Sequence, residues 1–426
     1  MRILIKNGRV IDPANGIDKI KDIYVEDGVI AASGDGFKPD KIIEADGMWV
    51  TPGFVDLHVH LRDPGLTHKE DIKTGTAAAA AGGYTTICTM PNTKPVMDNA
   101  RLAQETYERI KAEALIDVLI IGAATCSLEG KILADIAGMK KAGVCAVSED
   151  GFSVLNSLLA KKAFEICKEA ELPMFSHCED LALVNGGVIN EGAASEKFGL
   201  PGISNDSEDV ITARDIILAA SVGAKLHLCH VSTKGSVDII KAAKGLGAPI
   251  TAECCPHHFT LSDEDIPADD GNYKMNPPLR SFKDKKAIIE ALKDDTIEII
   301  ATDHAPHHEN EKKGGFKSAM NGIIGLETAL PLSITELVET NILTPSKLIE
   351  KMAWAPAKVL GIKAGALSVG YPADIAIIDP CTAYEIDVSE FKSKGKNTPF
   401  NGKKVKGKIV HLIKSGKIII SKGGLN

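Results

Sequence analysis

Apolar runs alternate with longer, helix-favouring stretches through the middle of this chain. Eight apolar runs predict β-strands: Phe54–His60, Thr85–Met90, Val118–Gly122, Val144–Ser148, Met174–His177, Leu226–His230, Ile250–Cys254 and Ile297–Asp303. The stretches between them are rich in Ala, Leu, Lys and Glu and predict helices: Lys69–Ala81, Ala100–Ala114, Leu155–Ala170, Ser207–Ala220 and Lys283–Leu292. This alternation predicts parallel βαβ units closed into a (β/α)8 TIM-like barrel with insertions. A doubly wound open sheet is the alternative, although no Gly-x-Gly-x-x-Gly turn follows the first strand.

The two ends of the chain have a different pattern of short β-rich runs separated by turns. The N-terminal runs are Arg2–Ile5, Asp22–Val25 and Val29–Ala32, and the C-terminal ones are Asp374–Ile378, Ile409–Ile413 and Lys417–Ser421. Because chain ends often lie close together, we expect residues 1–51 and 357–426 to form one small composite β-sandwich beside a barrel of residues 52–356. The lysine-rich stretch Lys392–Lys408 is predicted to be a solvated loop.

Composition narrows the classes of protein that this chain can represent. Its 44% hydrophobic and 25% charged residues are ordinary for a globular protein. The net charge of -8 is spread along the chain, which argues against a nucleic-acid-binding surface. No apolar run reaches eighteen residues, so no membrane span is predicted. The nine scattered cysteines predict reduced thiols in a cytoplasmic protein.

Histidines and acids occur where the predicted barrel strands end. His58 and His60 are two residues apart, so on a strand they point to the same face and can reach one metal ion. Four further strand ends carry His177, His230, Asp303 and the run Ser148-Glu149-Asp150. Barrel enzymes build their active sites at this face. Four histidines and two acids are enough for two zinc ions with a bridging carboxylate and hydroxide, while one acid transfers the proton. The pattern therefore predicts metal-assisted hydrolysis.

The remaining histidines are interpreted more conservatively. His307 follows Asp303 in an Asp-His-Ala-Pro-His loop, so a role in substrate binding is predicted for it. Cys254-Cys255 precedes His257-His258, but adjacent cysteines suit a tetrahedral zinc site poorly. His257 and His304 are left undecided. Structural or surface positions are predicted for the others: His68, His227, His258, His308 and His411.

Several motifs together resemble the dihydroorotases of the amidohydrolase superfamily. The first signature runs from Asp56 to Gly65 and the second from Ala301 to His307, with Lys312 five residues further on. The blocks between them that are also similar are Met90–Thr93, Ser176–Asp180, Cys229–Ser232 and Lys274–Arg280. The C-terminal segment from Gly365 to Ile375 is similar to the superfamily's C-terminal β segment. The resemblance covers nearly the whole chain.

The resemblance implies reversible interconversion of N-carbamoyl-L-aspartate and L-dihydroorotate, the third step of pyrimidine synthesis. It implies one Zn²⁺ held by His58, His60 and Asp303, and a second held by His177 and His230. Two zinc ions per subunit are therefore expected, and a single ion is the alternative. Asp150 would bridge the metals where many superfamily members use a carbamylated lysine, and Glu149 is the alternative bridge. Asp303 would also be the proton shuttle beside the attacking hydroxide. The implied substrate contacts are His60, Arg62, Asn92 and Asn276, the last three at the carboxylate, and His307, Asn321 and Gly322 at the ring.

Two other functions are compatible with parts of this pattern. Hydantoinases, dihydropyrimidinases and allantoinases share the fold and the reaction class, but they usually carry the bridging lysine and lack the His-Leu-Arg run. Some dihydroorotase homologues have lost ligands and serve as non-catalytic scaffolds for aspartate transcarbamoylase, whereas here all six ligand positions are filled. The resemblance leaves open a homodimer and an association with aspartate transcarbamoylase.

Overall fold

The computed structural model describes residues 1–32 and 36–426. Its strands are β1 (Arg2–Lys6), β2 (Arg9–Asp12), β3 (Ile17–Ile20), β4 (Ile23–Glu26), β5 (Val29–Ala31), β6 (Lys41–Glu44), β7 (Trp49–Pro52), β8 (Phe54–Val59), β9 (Tyr84–Thr89), β10 (Asp117–Ala123), β11 (Ala146–Ser148), β12 (Met174–Ser176), β13 (Ile189–Asn190), β14 (Gly202–Ile203), β15 (Leu226–Leu228), β16 (Ile250–Cys254), β17 (Ile299–Ile300), β18 (Ile375–Glu385), β19 (Lys404–Lys414), β20 (Lys417–Ser421) and β21 (Gly424–Leu425). Its α-helices are α1 (Ile72–Ala81), α2 (Ala100–Glu113), α3 (Ile136–Lys141), α4 (Ser157–Glu169), α5 (Leu181–Val184), α6 (Ala193–Phe198), α7 (Asp206–Val222), α8 (Lys234–Gly245), α9 (Pro256–Thr260), α10 (Phe282–Lys293), α11 (Gly315–Ser318), α12 (Ala329–Ser333), α13 (Pro345–Ile349) and α14 (Ala355–Leu360).

Eight parallel strands form the barrel, in the order β8-β9-β10-β11-β12-β15-β16-β17. Each barrel strand pairs with the next one along the chain, while β13 and β14 form a separate pair. A doubly wound sheet would instead reverse its strand order part-way across. The predicted (β/α)8 barrel is therefore confirmed, and the doubly wound alternative is wrong.

The barrel closes between its first and last strands at their carboxyl ends. Val59 and His304 form an isolated parallel bridge, and the His60 N–H donates to the carbonyl oxygen of His304 at 2.8 Å. Strand β17 is shorter than predicted because the chain leaves the ladder before Asp303. Asp303 has a φ of 48°, in the left-handed region that is unfavourable for a residue with a side chain. Such strained positions often occur at functional sites.

Apolar side chains fill the barrel below its carboxyl face. Val55, Leu57, Phe175 and Ile299 are buried in one inner cluster, which Ala357 on α14 joins. This is the packed core expected inside a TIM-like barrel, which leaves the carboxyl face for chemistry. Within the described part of the chain, no helix has the length and apolar composition needed to cross a membrane.

Strands from both chain ends form the flanking sheets. A four-stranded sheet has the order β5-β4-β1-β6, and a seven-stranded sheet has the order β21-β20-β19-β18-β7-β2-β3. In the larger sheet, β7 pairs antiparallel with β18 and parallel with β2. The two sheets share a buried cluster that includes Ile3, Ile5, Val10, Ile375 and Ile413. The predicted sandwich built from both ends is confirmed, and the predicted domain boundaries stay predictions.

The lysine-rich stretch Lys392–Lys408 is not the solvated loop that its composition predicts. Its last five residues, 404–408, belong to β19, and residues 391–400, called the C-terminal strap below, lie against the barrel mouth. Lys392, Lys394 and Lys396 are exposed, whereas Ser393 and Gly395 between them, and Asn397 after them, are buried. The prediction of a solvated loop was wrong because the lysines dominate the composition and conceal this alternation of inward and outward positions.

Candidate active site

The predicted site residues gather around one cavity of about 120 Å³ at the carboxyl ends of the barrel strands. Its lining includes His60, Arg62, Asn92, Asp150, His177, His230, Asn276, Asp303, Asn321 and Gly322. His58 is fully buried, and His307 contacts Arg62 from outside this lining. Residues from strands distant in the sequence thus meet at one mouth.

Asp150 lies among all four histidines. Its Oδ1 is 3.2 Å from Nε2 of His58 and 3.8 Å from both Nδ1 of His177 and Nε2 of His230. Its Oδ2 is 3.6 Å from Nε2 of His60. Oδ1 therefore faces His58, His177 and His230, while Oδ2 faces His60, so this one carboxylate lies within reach of all four imidazoles.

Asp303 completes the half of the cluster built on β8. Its Oδ1 is 3.1 Å from Nε2 of His60 and 3.5 Å from Nε2 of His58. In the other half, His177 Nδ1 and His230 Nε2 are 2.9 Å apart. Burial on its own would raise the pKa of Asp303, but the nearby imidazoles of His58 and His60 outweigh it and hold that pKa well below its usual range.

The histidine tautomers fit metal ligation. His58 Nδ1 lies 3.0 Å from a carboxylate oxygen of Glu253. Burial alone would raise the pKa of Glu253, but His227 and His58 lower it to about 2, so this carboxylate is ionised. When the Nδ1 proton is donated to Glu253, Nε2, which lies 3.2 Å from Asp150 Oδ1, is the nitrogen that can bind a metal ion. In the described residues this buried Nε2 has no hydrogen-bond partner. Burial alone would lower the pKa of His58, but the carboxylates of Asp150 and Asp303 raise it well above its usual value, so the site favours a positive charge at this imidazole. A divalent metal ion can supply that charge in place of a proton, and the imidazole and carboxylate donors fit such an ion.

The alternative bridging acid, Glu149, is engaged elsewhere. Its carboxylate accepts a hydrogen bond from the backbone N–H of Thr125 at 2.9 Å and another from the Thr125 hydroxyl. The Glu149 side chain is therefore held by the loop after β10, and Asp150 is the acid that faces the histidines.

Asn92 connects the two kinds of predicted site residue. Its Oδ1 lies 2.9 Å from His60 Nδ1, and its Nδ2 donates to Asp150 Oδ2 at 3.0 Å. Asn92 also lines the cavity. The amide thus orients His60 and Asp150, in addition to the substrate contact that was predicted for it.

Arg62 presents a buried positive charge to the cavity. Its guanidinium donates to the carbonyl oxygen of Pro306 at 3.3 Å and lies 3.3 Å from His307 Nε2. Burial lowers its pKa to about 10, so it stays charged at neutral pH. In the part of the chain that the structure describes, no carboxylate oxygen lies within 4.0 Å of this guanidinium. The neighbouring acid Asp63 pairs with Arg109 instead, at 2.6 Å. Glu179 in turn lies beside His177, so Arg62 pairs with neither of these nearby acids.

His307 is a neutral hydrogen-bonding group beside Arg62. Its Nε2 lies 2.7 Å from the carbonyl oxygen of Asn321, and its Nδ1 lies 3.4 Å from Lys69 Nζ. Burial and the positive charges of Arg62 and Lys69 lower its pKa to about 3. Neutral His307 can donate Nε2–H to Asn321 and accept from Lys69. Asn276 also has an unpaired group, because its Oδ1 is buried without a partner among the described residues.

The chain is similar to dihydroorotases in sequence and to a hydantoinase in fold. Residues 47–236 match the family described as Dihydro-orotase-like. The dihydroorotase of Geobacter metallireducens is 49% identical over 98% of this chain and 99% of that protein, and the dihydroorotase of Geobacter sulfurreducens is 49% identical over 99% and 100%. The chain belongs to the dihydroorotase family. Among solved structures, the L-hydantoinase of Arthrobacter aurescens has a TM-score of 0.89 at 26% identity, covering 100% of this chain and 97% of its own. The full-length relationship confirms the resemblance drawn from the motifs.

This dihydroorotase-family chain also has supporting residues that the motifs did not reveal. Glu253 binds both His58 and His227, and it is a charged residue inside the apolar run of β16, which is the signal that could have found it. His227 is buried and bonded to Glu253, as its predicted structural position implies. His304 Nε2 lies 3.5 Å from the buried carboxylate of Glu70, which places this undecided histidine outside the ligand cluster.

The cysteine–histidine run forms a separate buried cluster. Potential ligand atoms of Cys255, His257 and His258 lie within 4.8 Å of one another. This group offers three donors from one short stretch, one fewer than a structural zinc site uses. The dihydroorotase-family cluster at the barrel mouth, in contrast, combines histidines and carboxylates from several strands.

Proposed function

We propose that this chain interconverts L-dihydroorotate and N-carbamoyl-L-aspartate by zinc-assisted hydrolysis and cyclisation. The observation that carries the proposal is a cluster of four histidines and two aspartates that opens onto a cavity lined by Arg62, whose guanidinium has no carboxylate partner among the described residues. The cluster suits attack on a cyclic amide, and the guanidinium suits the carboxylate that dihydroorotate carries. Full-length relatives at 49% identity are dihydroorotases, which supports the choice of substrate.

The proposed ligand sets are His58, His60 and Asp303 for one zinc ion, and His177 and His230 for a second. Asp150 would contribute to both, because its carboxylate lies within 3.8 Å of a ring nitrogen in each of the four histidines. Imidazole and carboxylate donors are usual for catalytic zinc. Zinc bound by these residues supplies Lewis acidity toward water and the scissile carbonyl. Two ions per subunit are proposed, and one ion is the alternative that metal analysis decides.

Asp303 is the proposed general base and acid. Its depressed pKa keeps the carboxylate ionised before reaction, so it can accept a proton from the attacking water. The same carboxyl group then donates the proton to the leaving amide nitrogen. Cyclisation of carbamoyl aspartate uses these two transfers in reverse order.

The remaining residues are proposed to bind and orient the substrate. Arg62, with Asn92 and Asn276, would hold the carboxylate, since all three line the cavity. His60, His307 and the backbone of Asn321 and Gly322 would contact the ring. Because His307 is neutral, it can hydrogen-bond beside Arg62 without adding repulsion.

One experiment tests the function directly. Dihydroorotate hydrolysis and zinc content are to be measured on the same purified sample, with dihydrouracil as the competing substrate. We expect turnover of dihydroorotate together with bound zinc. Faster turnover of dihydrouracil would favour a hydantoinase-type enzyme, and absence of both turnover and zinc would favour the non-catalytic scaffold.

The bridging carboxylate gives a prediction about metal loading. Because Asp150 stands in the place of a carbamylated lysine, recovery of activity should not depend on CO2 or bicarbonate. Metal-stripped protein reloaded with zinc in CO2-free buffer should regain the same activity as protein reloaded with bicarbonate present. A requirement for bicarbonate would show that a lysine carbamate is involved and that Asp150 is not the bridge.

The cellular setting follows from the same proposal. The nine cysteines are all free, as in proteins of reducing compartments, and we propose a cytoplasmic enzyme. A homodimer and an association with aspartate transcarbamoylase stay predictions.

A further inference from the structure

We infer that Asn397 is a positioning residue that holds the ring-binding wall of the active-site cavity in place. The inference deepens the proposed function and rests on it, because the wall includes residues that are proposed to contact the substrate ring. Asn397 lies in the C-terminal strap, far from the barrel in sequence. No sequence motif pointed to it.

The Asn397 side chain joins two separate segments of the wall. Its Nδ2 group donates to the carbonyl oxygens of Ala305 and Gly322, both at 3.0 Å. Its Oδ1 accepts the backbone N–H of His307 at 3.0 Å. Asn397 is only 4% exposed, so water does not compete strongly for these bonds. Both Ala305 and Gly322 line the active-site cavity.

These bonds begin where the backbone pairing of the two segments ends. His304 and Ile323 form an isolated parallel bridge, and the Ala305 N–H donates to the Ile323 carbonyl at 2.8 Å. Beyond that bond, the side-chain amide of Asn397 links the two segments through its own hydrogen bonds. A primary amide offers two N–H donors and one carbonyl acceptor on a single short side chain, and Asn397 uses all three.

Asn397 also stands between two cavities. Ala305 and Gly322 face the active-site cavity, whereas His307 and Asn397 line a second cavity of about 590 Å³. The hydrogen bonds of Asn397 therefore hold a thin partition together. Movement of that partition would displace His307 and the carbonyl of Asn321, to which His307 is bonded.

The strap that carries Asn397 is itself firmly held. The Glu327 carboxylate accepts the backbone N–H of Lys392 at 2.8 Å and that of Ser393 at 3.1 Å. Buried Glu70 accepts the N–H of Lys394 at 3.2 Å and the hydroxyl of Ser393. Gly395 lies so close to the barrel that an added Cβ would be 2.7 Å from Cβ of Pro306. The hydrogen bonds of the strap thus hold Asn397 in position at the partition.

The inference is tested by replacing the side-chain NH2 group of Asn397 with an oxygen atom. Asn397→Asp keeps the shape and the acceptor for His307 but removes both donors and directs oxygen at two carbonyls. We expect KM for dihydroorotate to rise roughly tenfold or more while kcat changes less than about threefold, because ring binding is weakened in the ground state. Zinc content should match that of the unmodified enzyme. Asn401→Asp is the control, because Asn401 is an exposed residue just beyond the strap whose Oδ1 accepts the N–H of Val388, away from the partition.

A second variant reaches the same partition by another route. Gly395→Ala keeps the asparagine, but the added Cβ would lie 2.7 Å from Cβ of Pro306 and 2.8 Å from Oδ1 of Asn397, so the strap and the amide must shift and KM should again rise with little change in kcat. This variant decides the question if Asn397→Asp does not fold. An unchanged KM in a folded Asn397→Asp enzyme, or a loss confined to kcat and folded yield, would overturn the inference. Lack of dihydroorotate turnover by the unmodified enzyme would instead refute the proposed function.

Discussion

Replacing Asp303 by asparagine is expected to lower turnover of dihydroorotate by about 10²–10⁴-fold while much of the zinc is retained. The amide keeps an oxygen near His58 and His60, where Asp303 Oδ1 now lies at 3.5 and 3.1 Å. It cannot accept the proton of the attacking water, and loss of general acid–base catalysis typically has this size. Steady-state rates and zinc content should be measured on the same samples.

Asp150→Asn is the matched comparison for that variant. Asp150 lies within 3.8 Å of a ring nitrogen of all four histidines, so its neutralisation should reduce zinc content as well as turnover. The two variants thus separate proton transfer from metal binding. Near-normal turnover by Asp303→Asn would contradict the role of Asp303, and His307 would become the next candidate.

Replacing Arg62 by methionine is expected to lower kcat/KM for dihydroorotate by roughly 30- to 3,000-fold. Loss of one partner from a buried charged pair costs on the order of 2–5 kcal/mol, and each 1.4 kcal/mol is a factor of ten. Arg62 is buried beside the cavity, so its bond to a substrate carboxylate would be shielded from water. Any trace activity on dihydrouracil, which has no carboxylate, should barely change.

Arg101→Met is the control for the Arg62 variant. Arg101 is exposed on α2, where it pairs with exposed Glu105 at 2.7 Å, so its loss should leave kcat/KM for dihydroorotate nearly unchanged. Zinc content should stay the same in both variants. Normal hydrolysis of dihydroorotate by Arg62→Met would show that other groups hold the carboxylate.

The barrel and its strand-end residues could be predicted because both are local features of the sequence. A strand such as Phe54–Val59 is visible as an apolar run, and the two-residue repeat of a strand places His58 and His60 on one face. The (β/α)8 fold then brings the carboxyl ends of all strands together without further information. Asp150, His177 and His230 could therefore be grouped before any distance was known.

The supporting contacts could not be predicted because they depend on packing between distant segments. Glu253 reaches His58 across almost 200 residues, and nothing near either residue indicates the other. The strap was misinterpreted because three lysines outweighed the short polar residues between them. Asn397 reaches the wall only through the path that the C-terminal chain takes over the barrel.

The pairing of β7 with β18 sets the order in which the parts of this protein can be completed during synthesis. Pro52 pairs with Ile375, so roughly 320 residues must be added before β7 meets its partner. At about 5–20 residues per second, that takes roughly 16–65 s. All barrel strands leave the ribosome in this interval, while Ile3, Ile5 and Val10 await the apolar partners Ile375 and Ile413. The flanking sandwich is therefore the last part of the molecule to close.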